Sequence, residues 1–375
     1  MKTMKLCLVL FLMVTVLSHV GWARKARGKP LIQLAILLDT SGSMQGLIEQ
    51  AKTQLWNIVN TMATAKRDGA VPKLEVALYE YGKSTIPAPE GYLRQIVPLS
   101  EDLDKISEEL FKLSTNGGYE YCGQVIQAAV DGLTWSPHHN DYKVIFIAGN
   151  EPFTQGKVDY HQSCKTSISK GVIVNTIFCG NADEGIRTQW KDGADLADGQ
   201  YMNIDHNKKI VHISAPQDKE IVHLGQELNK TYLAYGKGGT AKKERQARQD
   251  QNAMAAGEAV MAQRAVTKAS GQYRNVGWDL VDAEKEGKVK VEELEEDELP
   301  EEMKKMSPKE RKAYVEKQKK KREAIQAQIS QLKKDRETYV AEKRKEMSDD
   351  DTLDAVMVKA IKDQASQKKF KFEKK

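Results

Sequence analysis

The stretch Leu31-Ile32-Gln33-Leu34-Ala35-Ile36-Leu37-Leu38-Asp39-Thr40-Ser41-Gly42-Ser43 decides the fold. From Leu31 to Leu38 it is almost continuously apolar, as expected of a central strand covered on both faces of a parallel sheet. Short oxygen-bearing side chains follow at once. Then Leu47, Ile48, Ala51, Leu55, Ile58, Val59 and Met62 recur at three- and four-residue spacing, which places one apolar stripe on a helix. Strand, tight turn and helix in that order put Asp39 to Ser43 at the carboxyl end of a strand, where open α/β sheets bind ligands.

The residue types in the turn suit a hard divalent cation. Mg²⁺ takes oxygen ligands in near-octahedral geometry and keeps several waters. Asp39, Ser41 and Ser43 offer one carboxylate and two hydroxyls at alternate positions, and Gly42 lets the backbone fold so that the oxygens converge. With a single negative charge among these ligands the ion stays electropositive and draws in an acidic group from a partner, aided by the free N–H groups that open the helix. The plainer use of Asp, Thr and Ser at this place is helix capping.

Working outward, the chain alternates β-branched runs with helical periodicity from residue 30 to 236, which predicts an α/β domain with a mainly parallel sheet and helices on both faces. Leu74 to Tyr81, Val144 to Ala148 and Val172 to Phe178 resemble the first strand, and Tyr92 to Pro98 reads as an edge strand. Helices are expected at Leu103 to Leu113 with Ser100 as cap, Cys122 to Leu133, Tyr160 to Lys170, Gly185 to Ala197 and Pro216 to Tyr232. Gly236-Lys237-Gly238-Gly239 marks a boundary, with a linker containing helical segments over 237–306. Within it, Tyr273 to Ala283 carries Trp278, Leu280 and Val281, which need cover.

A charged long helix and tail occupy 307–375. Ser307, Pro308 and Glu310 form a helix start with a capping box. Ile325, Ile329, Leu332 and Tyr339 begin a coiled-coil seam, so the mostly α-helical tail is read as partly coiled coil, with self-association through it. The basic end from Lys368 to Lys375 reads as frayed.

Of 375 residues, 40% are hydrophobic and 30% charged, and 58 basic against 53 acidic side chains leave a net charge of +5. So balanced a distribution does not argue for nucleic acid. Lys2 and Lys5 precede an apolar run from Leu6 to Leu17 and small residues up to Ala23, the pattern of a signal peptide over 1–23. The apolar run is short for a membrane span of about 20 residues. The mature protein is therefore expected to be periplasmic or secreted, without an integral membrane segment.

The turn and its context resemble the von Willebrand factor A-type (vWA) domain family, whose metal-ion-dependent adhesion site (MIDAS) has the pattern Asp-x-Ser-x-Ser after the first strand; the match covers about residues 30 to 236. The resemblance implies a Rossmann-like, mainly parallel sheet with one antiparallel edge strand. It also implies divalent-metal-dependent protein–protein contacts, and no enzyme activity. Asp39, Ser41 and Ser43 carry over directly. Where the family has a threonine after a Gly-Gly step, Gly117-Gly118 is followed by Tyr119 and Glu120, and where it has an aspartate after the fourth strand the chain reads Ala148-Gly149-Asn150-Glu151. Glu120, Asn150 or Glu151 offers a replacement oxygen. The set read here is Asp39, Ser41, Ser43, Glu120 and Asn150, holding Mg²⁺ or alternatively Mn²⁺ or Ca²⁺. A second carboxylate would leave the ion less in need of a partner's acid. The alternative is a structural or scaffolding protein acting through its helical tail, with a degenerate metal site. The segment from Lys268 to Lys317 is similar to tails of uncharacterised bacterial secreted proteins of this family and brings no activity with it.

Cys122, Cys164 and Cys179 remain after removal of the leader with Cys7, an odd number that suggests one disulfide and one free thiol in an oxidising compartment. Cys164 with Cys179 is the preferred pair, and Cys122 with either is the alternative. His161 lies three residues before Cys164, a spacing that invites a thiol-hydrolase reading without any recognisable orienting partner.

Overall fold

The computed structural model describes residues 29–208, 212–347 and 352–372. The leader expected over 1–23 lies outside the described residues, as do Glu373 to Lys375. Strand β1 (Leu31–Asp39) leads into helix α1 (Gln45–Ala63), followed by β2 (Lys73–Tyr81), β3 (Leu93–Ser100), α2 (Leu103–Lys112), α3 (Cys122–Gly132) and β4 (Tyr142–Gly149). Then come α4 (Tyr160–Ser169), β5 (Ile173–Cys179), α5 (Ala182–Arg187), α6 (Trp190–Asp195), β6 (Tyr201–Ile204) and α7 (Asp218–Asn229). The rest is helical: α8 (Gly239–Ala255), α9 (Glu258–Ala269), α10 (Leu280–Lys285), α11 (Pro308–Met347) and α12 (Leu353–Gln367).

The six strands lie in the order β3-β2-β1-β4-β5-β6, with β3 antiparallel on one edge and the other pairs parallel. β1 is thus central, and its apolar run is buried from both sides. Ile32, Leu34, Ile36 and Leu38 face a core shared with α1, while Ala35 and Leu37 face a second core shared with α3 and α4. Gln33, the polar interruption, is satisfied there: its amide donates to Glu75 at 2.7 Å and its carbonyl accepts from the Ser136 amide at 2.7 Å. At the β3 edge the register slips between Leu78↔Val97 and Val76↔Ser100, across Pro98. An edge strand accommodates a residue that cannot donate to the ladder.

Several expectations change in detail. The cap of α2 is Asp102, whose carboxylate accepts from the Lys105 amide at 2.9 Å, while Ser100 accepts one residue earlier from the Asp102 amide. The single helix expected from Gly185 to Ala197 is two, because Gln189 adopts a left-handed φ of 72° between α5 and α6. Strand β6 has no counterpart in the sequence reading. It is short, and its Tyr-Met-Asn-Ile composition lacks an apolar alternation.

The helices beyond residue 236 pack back onto the sheet. Val260, Met261 and Ala265 of α9, Ile325 and Ile329 of α11, and Met357, Ala360 and Ile361 of α12 belong to the same hydrophobic core as β1 and α1. Ile325 and Ile329, expected to seed a coiled coil between chains, are therefore covered by α7 and α9 of their own chain. On α12, Gln364 accepts from Tyr142 Oη at 2.8 Å and donates to Asn175 Oδ1 at 2.7 Å, so the helix lies over β4 and β5. The basic end is pinned rather than frayed as far as Phe372: Lys371 exchanges backbone hydrogen bonds with Lys66, and Phe370 is buried under Arg67. Trp278 finds its cover against Tyr232, with ring centroids 5.7 Å apart.

Candidate metal centre

Asp39, the last residue of β1, is fully buried, and its Oδ1 accepts from the Ser41 amide at 2.7 Å. That bond closes the turn and leaves Asp39 and Ser41 together. Thr40 turns toward β2, with its hydroxyl on Tyr81 O at 3.1 Å. The hydroxyls of Ser41 and Ser43 lie 3.4 Å apart. Neither caps α1: its N-cap is Met44, with no side-chain hydrogen bond to the helix amides. The capping use that the sequence left open is thereby removed, and the hydroxyls remain available.

Two further loops complete the centre, one between α2 and α3 and one after β4. Asn150, just past β4, donates from its amide to Ser43 Oγ at 3.2 Å, leaving Oδ1 buried without a hydrogen-bond partner. Glu120, just before α3, is 5% exposed, and its Oε2 likewise has no partner. Asp39 Oδ2 is the third such atom. Buried polar atoms are nearly always paired, because each orphan costs about 1–3 kcal/mol. Three such oxygens, with Glu120 beside Asp39 at Gly82 and Asn150 bonded to Ser43, lie among groups of the kind that a hard cation satisfies. Among the described residues no group of three or more His, Cys, Asp and Glu could hold a metal, so the donor set is of the hydroxyl, amide and carboxylate kind. Asp39, Ser41, Ser43, Glu120 and Asn150 are the residues brought together. Glu151 stands aside, accepting from Gln155 Nε2 at 3.2 Å.

The electrostatics agree with the hydrogen bonding. Burial pushes the Asp39 carboxyl up to about 7 against the pull of its bonds to Ser41, with the negative charge of Glu151 adding to the rise. Burial likewise pushes Glu120 up to about 8, reinforced by Asp39 and then Glu151. Two carboxyls share a poorly solvated space, a situation that a cation relieves.

The backbone is shaped for this approach. Gly82, at the end of β2, has φ +79°, and a Cβ there would lie 2.7 Å from both Asp39 Oδ1 and Glu120 Cγ. A Cβ on Gly118 would lie 2.4 Å from Gly82 O, so the Gly117-Gly118 step lets the Glu120 loop pass against β2. The sequence reading missed Gly82, although a glycine directly after the strand beside β1 was a usable signal. It also missed the aromatic rim of Tyr92, Tyr119 and Tyr121, whose ring centroids are 5.7 Å and 6.2 Å apart and of which Tyr119 is 61% exposed. Tyr119 and Tyr121 flank Glu120 in one loop, while Tyr92 comes from the turn before β3, and nothing in the sequence spacing brings it to them.

The cysteines differ from expectation. Cys122, Cys164 and Cys179 are all free and buried. Cys164 packs in the core on the α3 and α4 side of the sheet and Cys179 in the core on the α1 side, so the preferred bridge would have to cross the sheet. Cys122 approaches Tyr81 Oη at 4.0 Å. Burial pushes the Cys164 thiol up to about 12, the opposite of what a nucleophile needs. His161 instead faces Asp159 at 2.7 Å and Asp192 at 3.6 Å.

The chain matches the family model for the von Willebrand factor type A domain over residues 33–189, which take in β1 with its turn, the Glu120 loop and Asn150. Residues 33–189 are a von Willebrand factor A domain. The solved structures similar to it include the conserved hypothetical protein BatB from Bacteroides thetaiotaomicron, 15% identical, covering 46% of this chain and 90% of that one with a TM-score of 0.35. An aerotolerance-related membrane protein from Bacteroides fragilis is 16% identical, with 46% and 92% covered and a TM-score of 0.32. Proximal thread matrix protein 1 from the mussel byssus, with a zinc-occupied MIDAS motif, is 14% identical, with 48% and 43% covered and a TM-score of 0.35. No curated protein matches the chain. Beyond the matched residues, α7, α8, α9, α11 and α12 share the core of β1 and α1, while α10 packs in a separate small cluster with Leu233, Val291 and Val315.

Proposed function

We propose that this protein binds a protein partner through a divalent cation held by Asp39, Ser41, Ser43, Glu120 and Asn150, with the partner presenting an acidic side chain to the metal face. The carrying observation is the set of buried, unpartnered oxygens Asp39 Oδ2, Glu120 Oε2 and Asn150 Oδ1 around hydroxyls that serve no capping role. Mg²⁺, Mn²⁺ and Ca²⁺ suit an all-oxygen set, and the ion would supply an electropositive centre for an anionic group. The exposed Tyr119, backed by the half-buried Tyr92 and Tyr121, suits contact with a partner, since Tyr is enriched at interfaces. A binding role is favoured over catalysis, because the one nucleophile–base pair suggested by sequence is split between a buried thiol and an imidazole engaged with carboxylates. The leader pattern at 1–23 supports export to the periplasm or beyond, and no helix among the described residues is long and apolar enough to cross a membrane. A scaffold acting through its tail has less support, since Ile325 and Ile329 are used within the chain.

Thermal unfolding tests the reading. Mg²⁺ or Mn²⁺ at about a hundred times its dissociation constant should add about 2.7 kcal/mol to the stability of the wild type, read as a raised Tm, and nothing to Asp39→Ala. A wild type whose Tm ignores both ions would defeat it.

A further inference from the structure

Glu120 is the place where this chain departs most from a loop built around one carboxylate. The structure gives the departure a consequence, which rests on the metal-dependent reading above. The Glu120 side chain is 5% exposed and comes so close to β2 that only a glycine at position 82 leaves it room beside Asp39. Its Oε2 has no partner among protein atoms, and the residue is held from behind, its amide donating to Gln155 Oε1 at 3.2 Å. It is a buried acid beside Asp39, the two side chains closing on Gly82 from opposite elements.

We propose that Glu120 is a built-in second carboxylate ligand of the cation, supplying from within the chain the negative charge that a one-carboxylate site would draw from a partner. Two consequences follow from charge alone. With Asp39 and Glu120 both ionised, the protein neutralises a divalent cation, so the ion is held firmly without any partner. A carboxylate from outside then meets a neutral centre and gains little from it unless Glu120 withdraws. Docking of an acidic partner is accordingly coupled to release of Glu120. Glu120 tunes how strongly the site prefers acidic partners, while Asp39, Ser41 and Ser43 hold the ion.

Calorimetric titration of Mn²⁺ into the full-length protein after removal of metal by EDTA tests this, with acetate as the external carboxylate. The wild type should bind one Mn²⁺ with an affinity that acetate leaves unchanged. Glu120→Gln, which keeps the shape and removes the charge, should weaken Mn²⁺ binding by at least about tenfold. Glu120→Thr should weaken it similarly and recover part of the loss when acetate is added. Melting curves without metal show that each variant is folded, and removal of a buried charge is not expected to lower them. Mn²⁺ binding by Glu120→Gln equal to that of the wild type would overturn the inference while leaving the metal site standing, as would an acetate effect as large in the wild type as in Glu120→Thr. Failure of the wild type to bind Mn²⁺ would remove the metal-dependent function and the role of Glu120 together.

Discussion

Cys164 and Cys179 are close in sequence and belong to consecutive elements, yet they pack in cores on opposite faces of the sheet. Side chains alternate across a strand, so the parity of a residue within β5 fixes its face, and a shift of one position would have reversed the outcome. Cys122 and Cys164 share a face but sit in closed packing as free thiols. A thiol-reactive dye should therefore label none of the three in the native protein, where burial holds each thiol well above its ordinary range, and all three after unfolding without reductant. Labelling of one alone after unfolding would restore a disulfide. Asp39, Ser41 and Ser43 were legible as a group because their spacing is local. That Asn150 reaches Ser43 depends on β4 flanking β1, and that Glu120 reaches Asp39 depends on the α2–α3 loop passing against Gly82 at the end of β2, properties of tertiary arrangement that no single motif carries.

The α11 helix shows how a correct pattern can be assigned the wrong partner. Its start was readable in full: Ser307 and Glu310 form the reciprocal cap, with the Ser307 amide donating to Glu310 Oε2 at 2.8 Å. Its apolar stripe was also readable, but a stripe reports only that one helix face is covered. Here α7 and α9 cover it, and Ile329 is fully buried. Ile329→Ala should cost about 2–5 kcal/mol in urea unfolding, as a large-to-small change in a packed core does. The mass measured by light scattering should stay unchanged between wild type and variant. A variant that loses a dimer and keeps its stability would return the seam to the surface between chains.

Across the whole molecule, buried ion pairs join the helices after residue 236 to one another and to the sheet domain. Arg264 of α9 reaches Asp104 of α2 at 2.9 Å and Asp250 of α8 at 2.5 Å, and Lys268 reaches Asp250 at 2.6 Å. Arg336 of α11 pairs with Asp218 of α7, and Arg322 with Asp279 at 2.6 Å. Burial alone would raise the Asp250 carboxyl, but Lys268 and Arg264 outweigh it and hold the group at about 2. A carboxyl depressed below its unfolded value of 3.8 contributes stability above that pH and loses it as the pH falls through about 2. Asp104 works the other way, since burial raises it against the pull of Arg264. Asp250→Asn isolates the first effect: it should cost at least about 2 kcal/mol near neutral pH, with the gap to wild type narrowing as the pH falls from about 4 to about 2. Urea titrations at several pH values check it, and a gap independent of pH would refute the assignment.

Local physics settled the first level of this protein. A nearly continuous apolar run of eight residues reads as a doubly covered strand, oxygen-bearing side chains at alternate positions of a tight turn suit a cation, and a three-four apolar stripe must lie against something. The α/β class with a mainly parallel sheet and the turn at Asp39 follow from those facts, while the antiparallel edge came from the family resemblance. Tertiary structure alone decided what the stripes lie against, which face each cysteine takes, and how α7, α8, α9, α11 and α12 enlarge the core of β1 and α1. It also decided that Glu120 lies buried beside Asp39. These are contacts between residues far apart in the chain, and they depend on strand order, register and helix placement, quantities that periodicity within a segment does not contain.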